Sequence, residues 1–229
     1  MFDWGGIDLA ALWLTLKVAG CATALAAAAG VAFGYALARA RWPGRRLLEA
    51  VLTLPLVLPP TVVGYYLIVA LGRHSAFGGW LERSLGMTLI FTWQGAVAAA
   101  AVVAFPLVFT SARAAFEGVD ANLERAARVL GATEAKVFVQ VTLPLAMRGI
   151  AAGTMLAFAR AMGEFGATLM IAGNIPGTTQ TLSLAVYDAV NSGNDALANA
   201  LVALLSLACI AVLLVTGRVL EPARLAARR

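Results

Sequence analysis

Histidine is almost missing from this 229-residue chain: His74 is the only one. A lone histidine supports neither a histidine-rich metal site nor a serine–histidine relay. There is no His-Glu-x-x-His, no nucleophilic serine motif with a partner histidine and no paired aspartates in an apolar segment. An intramembrane enzyme therefore lacks its residues, and no metal ligands or catalytic groups are assigned. Cysteine is nearly as scarce. Cys21 and Cys209 both lie inside apolar segments, so each is expected as a buried free thiol rather than half of a disulfide. No Gly-x4-Gly-Lys-Ser/Thr stretch occurs, so nucleotide cannot be held here by the usual phosphate-cradling loop. The N-terminus carries Asp3 and Asp8 and no basic run, which is not the pattern of a cleaved signal peptide.

Charge is also thin, at 13% of residues, while hydrophobic residues make up 61%. With a mean hydropathy of +0.85 this is the composition of an integral membrane protein. The chain reads as one transmembrane domain over residues 1–229, with no room for a second soluble one. Its net charge of +5 does not point to nucleic acid, because the basic residues fall in the gaps between apolar segments. The lipid bilayer is the expected partner surface.

Five apolar segments are expected to span, at about 9–38, 48–71, 91–112, 148–172 and 197–216. The first holds some 30 residues, about 45 Å as a helix, and so must tilt or protrude from a hydrocarbon core of about 30 Å. Gly20, Ala24, Ala27, Ala28 and Gly34 give it a surface for close helix packing, and Lys17 is expected to snorkel toward the interface. The second segment contains Pro55, Pro59 and Pro60, which must break it. A broken helix at membrane depth fits a packing kink or a pathway lining, with Thr61 and Gly64 just after the break. Pro106 allows a kink in the third. The stretch from Gly72 to Ile90 reads as a polar loop, and Thr181–Val190 as a re-entrant or interfacial helix. In the fourth segment Arg160 and Glu164 share one helix face, four residues apart. They form either a salt bridge that fixes packing or a charged part of an anion's path.

Basic residues set the orientation. Four lie at 39–46, five at 113–148 and four in the tail from Arg218 to Arg229, against none in the N-terminal stretch and none at 173–195. The excess marks the cytoplasmic side, which places the N-terminus out, the C-terminus in and the 113–147 loop inside. The expected fold is all-α, a polytopic transmembrane helix bundle with a cytoplasmic loop.

That loop carries the most specific pattern. Asp120 is a candidate N-cap and Glu124 lies in the first turn, where the helix dipole favours negative charge. Leu123, Ala126, Ala127 and Leu130 fall on one stripe, Arg125 and Arg128 flank it, and Gly131 stands where a left-handed residue ends a helix. A second helical piece starts at Thr133, and Pro144 is expected to stop it. Ala126-Ala127, three residues, Gly131, nine residues, Val141, one residue, Leu143-Pro144 resembles the EAA loop of ABC-importer permeases, with Arg125 in place of its acidic residue. With LPLVLPPTVVGYYL at 54–67 and FARAMGEFGATLMIAGNIPGTTQTL at 158–182, the chain resembles the permeases of molybdate, tungstate and sulfate importers, and within these the molybdate group.

The resemblance implies a homodimeric pathway in a bacterial inner membrane, two ATP-binding cassette subunits docked on the cytoplasmic loop and an extracytoplasmic molybdate-binding protein. ATP and magnesium would be used by the partner, and no cofactor by this chain. It implies ATPase coupling through Leu123, Glu124, Arg125, Ala126, Ala127, Leu130, Gly131, Leu143 and Pro144. The translocation path is expected at Thr61, Thr154, Arg160 and Glu164. An ATP-independent anion transporter would share the broken second segment and the intramembrane charges, but would leave the loop pattern unexplained.

Overall fold

The computed structural model describes residues 9–40 and 42–220, the last five by backbone alone. Asp3, Asp8, Arg41 and the end of the basic tail lie outside the described residues. All regular structure among those described is helical. The helices are α1 (Leu9–Arg39), α2 (Arg45–Val57), α3 (Pro60–Leu71), α4 (Ala76–Leu85), α5 (Trp93–Glu117), α6 (Ala121–Val129), α7 (Glu134–Val137), α8 (Leu143–Met162), α9 (Gly166–Ala172), α10 (Leu182–Asn191) and α11 (Asp195–Leu220).

Close packing of small residues builds the core. On α1, Ala22, Ala26, Gly30 and Gly34 are buried at every fourth position, and on α5 so are Ala96, Ala100, Ala104, Val108 and Ala112. Rows at that spacing interdigitate with little between the backbones. A Cβ on Gly30 would lie 2.9 Å from that of Val108, and one on Gly34 would lie 3.0 Å from that of Ala112. Of the five small residues expected at this contact, Gly34 is buried and Ala27 half-buried, while Gly20, Ala24 and Ala28 face outward. Alanine-rich helices carry small residues on every face, so the packing row is not readable from composition. Both cysteines are free, but Cys21 is exposed and Cys209 half-buried. A membrane helix turns apolar groups outward, so an apolar setting does not imply burial in protein.

The matched contacts show that α1 and α5 run in the same direction, so the chain between them must return. It does so through α2, which lies back along α5: Arg45 pairs with Glu117, and Val51, Leu52 and Pro55 face Ala101, Val102 and Phe105. The axis then turns by 114° into α3. Pro59 and Pro60 make the turn, as expected, because neither has an N–H to continue the helix. With this bent pair as one span, five stretches are long and apolar enough to cross a membrane; the other four lie within the helical runs Leu9–Arg39, Trp93–Glu117, Glu134–Met162 and Asp195–Val215.

Three local expectations change. Pro144 does not stop the loop's second piece, which runs on through a π turn (Phe138–Thr142) into α8. Proline lacks the N–H that an α-helix would offer to the Gln140 carbonyl, and the widened turn absorbs the defect. The fourth apolar segment is not one helix, since α8 ends at Met162 and α9 begins at Gly166. The 72–90 stretch is not a plain loop. It holds α4, capped by Ser75, whose hydroxyl accepts from the Gly78 N–H at 2.8 Å, and closed by Gly86. The Lys17 Nζ sits 3.6 Å from the centre of the Trp93 ring and joins α1 to the start of α5.

Candidate functional site

The loop at 113–147 folds as a helix, a glycine turn and a second helix. The Asp120 carboxylate accepts from the Asn122 N–H at 2.8 Å and starts α6. Gly131 has φ +83°, a left-handed conformation that costs any other L-residue except asparagine or aspartate about 1–2 kcal/mol, and it closes the helix with its N–H on the Arg128 carbonyl. Thr133 opens α7. Arg128 grips Glu134 across the turn with two bonds, Nε–Oε1 at 2.6 Å and Nη2–Oε2 at 3.1 Å. These hold the Glu134 carboxyl below its ordinary range and raise Arg128.

What this turn presents is apolar. Val129 and Leu130 are each 87% exposed at the tip, and Leu123 is half exposed. Arg125, Ala126 and Gly131 are open beside them, and Ala127 is half-buried. Val129 lies off the expected stripe. It reaches the surface because α6 stops at the tip, and the sequence offers only its apolar character as a signal. Glu124 points the other way and is 3% exposed. Its carboxylate meets Arg39 at the end of α1 and accepts from the Thr142 hydroxyl at 2.6 Å. Leu143 and Pro144 sit beneath this contact, at the start of α8.

At the end of the bundle that carries α6, the start of α2 and the end of α5 are tied by a closed ring of charges. Glu49 meets Arg45 at 2.6 Å and Arg113 at 2.7 Å, Arg113 meets Glu117 at 3.1 Å, and Glu117 returns to Arg45. Arg39, Arg45 and Arg113 thus lie at the end of the bundle that carries the α6 turn.

The residues expected along a path stand at separate places. Thr61 is exposed near the start of α3, where Pro60 and Thr61 pack on Gly166. Thr154 donates to the Ile150 carbonyl at 2.8 Å and lines a crevice of about 460 Å³ between α1, α8 and α11. Thr23 and Thr154 are the only hydroxyls in its lining, the rest being Met155, Phe158, Ala211, Val212 and Val215, so this space suits an apolar occupant rather than a dianion. Arg160 lies six residues on, about 9 Å along the helix and about 120° around it. Its Nη1 is 2.9 Å from Glu164 Oε2, while Glu164 Oε1 accepts from the Ala167 N–H at 2.9 Å. Glu164 thus stands in the break between α8 and α9 rather than on a continuous helix face, and its carboxylate caps the second piece.

Among the described residues no three His, Cys, Asp or Glu side chains gather as a metal site. The fold is that of solved importers: over 93% of this chain and 94% of the other, it matches a chain of the inward-facing MetNI methionine ABC transporter with a TM-score of 0.73 at 20% identity. In sequence it is 47% identical over 206 residues to the molybdenum transport system permease protein ModB of Escherichia coli K12, covering 89% of this chain and 90% of that one. The Haemophilus influenzae protein of the same name is 43% identical over 186 residues, 81% of each chain. A family model for the binding-protein-dependent transport system inner membrane component matches residues 30–224, which takes in the α6 turn, both helix breaks and only the last third of α1. The chain belongs to that family of inner membrane transport components.

Proposed function

We propose that this chain is the transmembrane subunit of an ATP-driven importer of molybdate, working as a pair of copies with two ATP-binding subunits below and an oxyanion-binding protein outside. It acts as one permease domain, N-terminus out and C-terminus in, with the α6 turn in the cytoplasm. The observation that carries this reading is the exposed apolar tip of Val129 and Leu130 on a helix whose other side is tied to the bundle. Such a projection fits a cleft in a partner, with Leu123 and the open backbone at Ala126, Ala127 and Gly131 allowing close approach. The names borne by the relatives supply the choice of molybdate. Leu143 and Pro144 carry the motion into α8, and the bundle works as a two-state gate whose balance the ATPases shift. Thr61 and the Arg160–Glu164 pair at the α8–α9 break stand where the helices are interrupted, the places at which a pathway is tolerated in lipid.

The test is reconstitution in proteoliposomes with the ATPase and the binding protein, following molybdate uptake with sulfate as competitor. Uptake that needs ATP and all three components and resists excess sulfate is the expected result. Uptake without ATP would overturn the importer reading in favour of a secondary transporter, and inhibition by sulfate would overturn the substrate. In the same vesicles Gly131→Asp, which places a charge at the tip, should abolish uptake while the protein stays in the membrane.

A further inference from the structure

Resting on that coupling reading, we propose that Glu124 is a positioning residue that fastens the α6 turn to the transmembrane bundle, and not a contact to the ATPase. Within α6 it is the only buried residue. Apolar packing does not hold this helix down, because Leu123, Val129 and Leu130 all face away. The attachment is polar. Arg39, 85 residues earlier, reaches one carboxylate oxygen from the last turn of α1, and the Thr142 hydroxyl, 18 residues later, donates to the same oxygen from the π turn. Arg128 comes within 4.0 Å of the other oxygen along α6 itself. Thr142 is 1% exposed.

The anchoring points are themselves rigidly joined. Tyr35 on α1 packs edge-on against Phe116 of α5 at 5.2 Å and Phe138 of the π turn at 4.6 Å. The carboxylate therefore joins α6 to a unit in which α1, α5 and the entrance of α8 are already packed together. A push or pull on the Val129–Leu130 tip passes through Glu124 to two membrane helices at once. Replacing the carboxylate leaves the tip intact for docking but lets it move without the bundle. A coupling of this kind is typically worth about 5- to 150-fold.

The experiment uses the full complex in proteoliposomes and reads three quantities: co-purification of the ATPase, ATP hydrolysis, and molybdate moved per ATP. The variants are Glu124→Ala, Glu124→Gln, Thr142→Val and Leu130→Asp. Leu130→Asp should lose the ATPase. Glu124→Ala should keep the ATPase and its hydrolysis while uptake per ATP falls at least about fivefold. Glu124→Gln, which retains the shape and the acceptor for Thr142, should fall between that variant and the parent, and Thr142→Val should show a smaller loss of the same kind. Should Glu124→Gln or Glu124→Ala shed the ATPase as Leu130→Asp does, Glu124 is a docking contact and the proposal fails. Unchanged uptake per ATP in all the Glu124 variants would also overturn it. Failure of the underlying reading looks different: the parent complex itself would show no ATP-dependent uptake.

Discussion

The junction under α6 and the break between α8 and α9 each bury a glutamate against an arginine, and they do so for different ends. Glu124 and Glu164 are each 3% exposed. The partners of Glu164 are local: Arg160 four residues before and the Ala167 N–H three residues after. Glu124 also has a local neighbour, Arg128 at 4.0 Å, but its closest partners come from α1 and the π turn, far along the chain. A local pair shapes the chain where it breaks and can give way without disturbing the rest. A long-range pair makes separate helices move as one. Burial and charge alone do not distinguish the two roles, whereas the sequence distance to the partners does.

The largest difference should appear on truncation. Glu124→Ala leaves Arg39 and Thr142 without their acceptor. Breaking a fully buried pair costs about 3–5 kcal/mol, and because Arg39 remains partly open to water about 2–3 kcal/mol is expected here. Glu164→Ala removes a cap and frees an arginine about as open to water as Arg39, but leaves no second buried side chain without its acceptor, for about 1 kcal/mol. Reversible unfolding in mixed micelles measures both. Equal losses would remove the distinction between a long-range clamp and a local cap.

A charge swap sharpens it further. Arg160→Glu with Glu164→Arg restores opposite charges at the same spacing, so the double variant should recover part of what the single alanine variants lose. Recovery should be incomplete, because an arginine at 164 cannot accept from the Ala167 N–H and α9 stays uncapped. Complete recovery would mean that the cap contributes nothing; none would mean that the two side chains act separately.

Much of this was legible beforehand. The five spans, the proline break, the cap at Asp120 and the left-handed turn at Gly131 follow from rules that act over a few residues. The Arg160–Glu164 contact was open to two readings, and its place in a helix break was hidden because Gly163 alone does not end an apolar helix. Glu124 was legible as a first-turn carboxylate but not as a clamp: nothing near it in sequence names Arg39, and only packing brings the two together. The π turn was missed for a related reason. Proline reads as a stop, and the widened turn that absorbs its missing N–H and lets the helix continue has no residue signature of its own.

Gly131 gives a smaller effect at the same junction. Nothing lies within 4 Å of the place a Cβ would take, so only the backbone objects to a side chain. Gly131→Ala should cost about 1 kcal/mol and Gly131→Asn less, since asparagine tolerates the left-handed region. Comparable uptake for the asparagine variant and the parent would show that conformation, and not the bare backbone surface, is what coupling needs there. Lost uptake with stability retained would point instead to direct contact with the partner.

The smallest effect concerns the outer pair of the loop. The two hydrogen bonds from Arg128 hold the Glu134 carboxyl below its ordinary value near 4.5. A lowered folded-state value means that the contribution to stability is fully present above the unfolded value and disappears as pH falls through the folded one. The stability difference between the parent and Glu134→Gln should therefore stay constant from neutral pH down to about 5 and vanish in stronger acid. Because Glu134 lies at the surface, that difference should be well below the Glu124 effect and should shrink in salt, which screens exposed charges but leaves the enclosed Glu124 contact largely untouched. Equal salt sensitivity at both positions would show that Glu124 is open to solvent in the membrane-embedded protein, and would count against its role as the clamp.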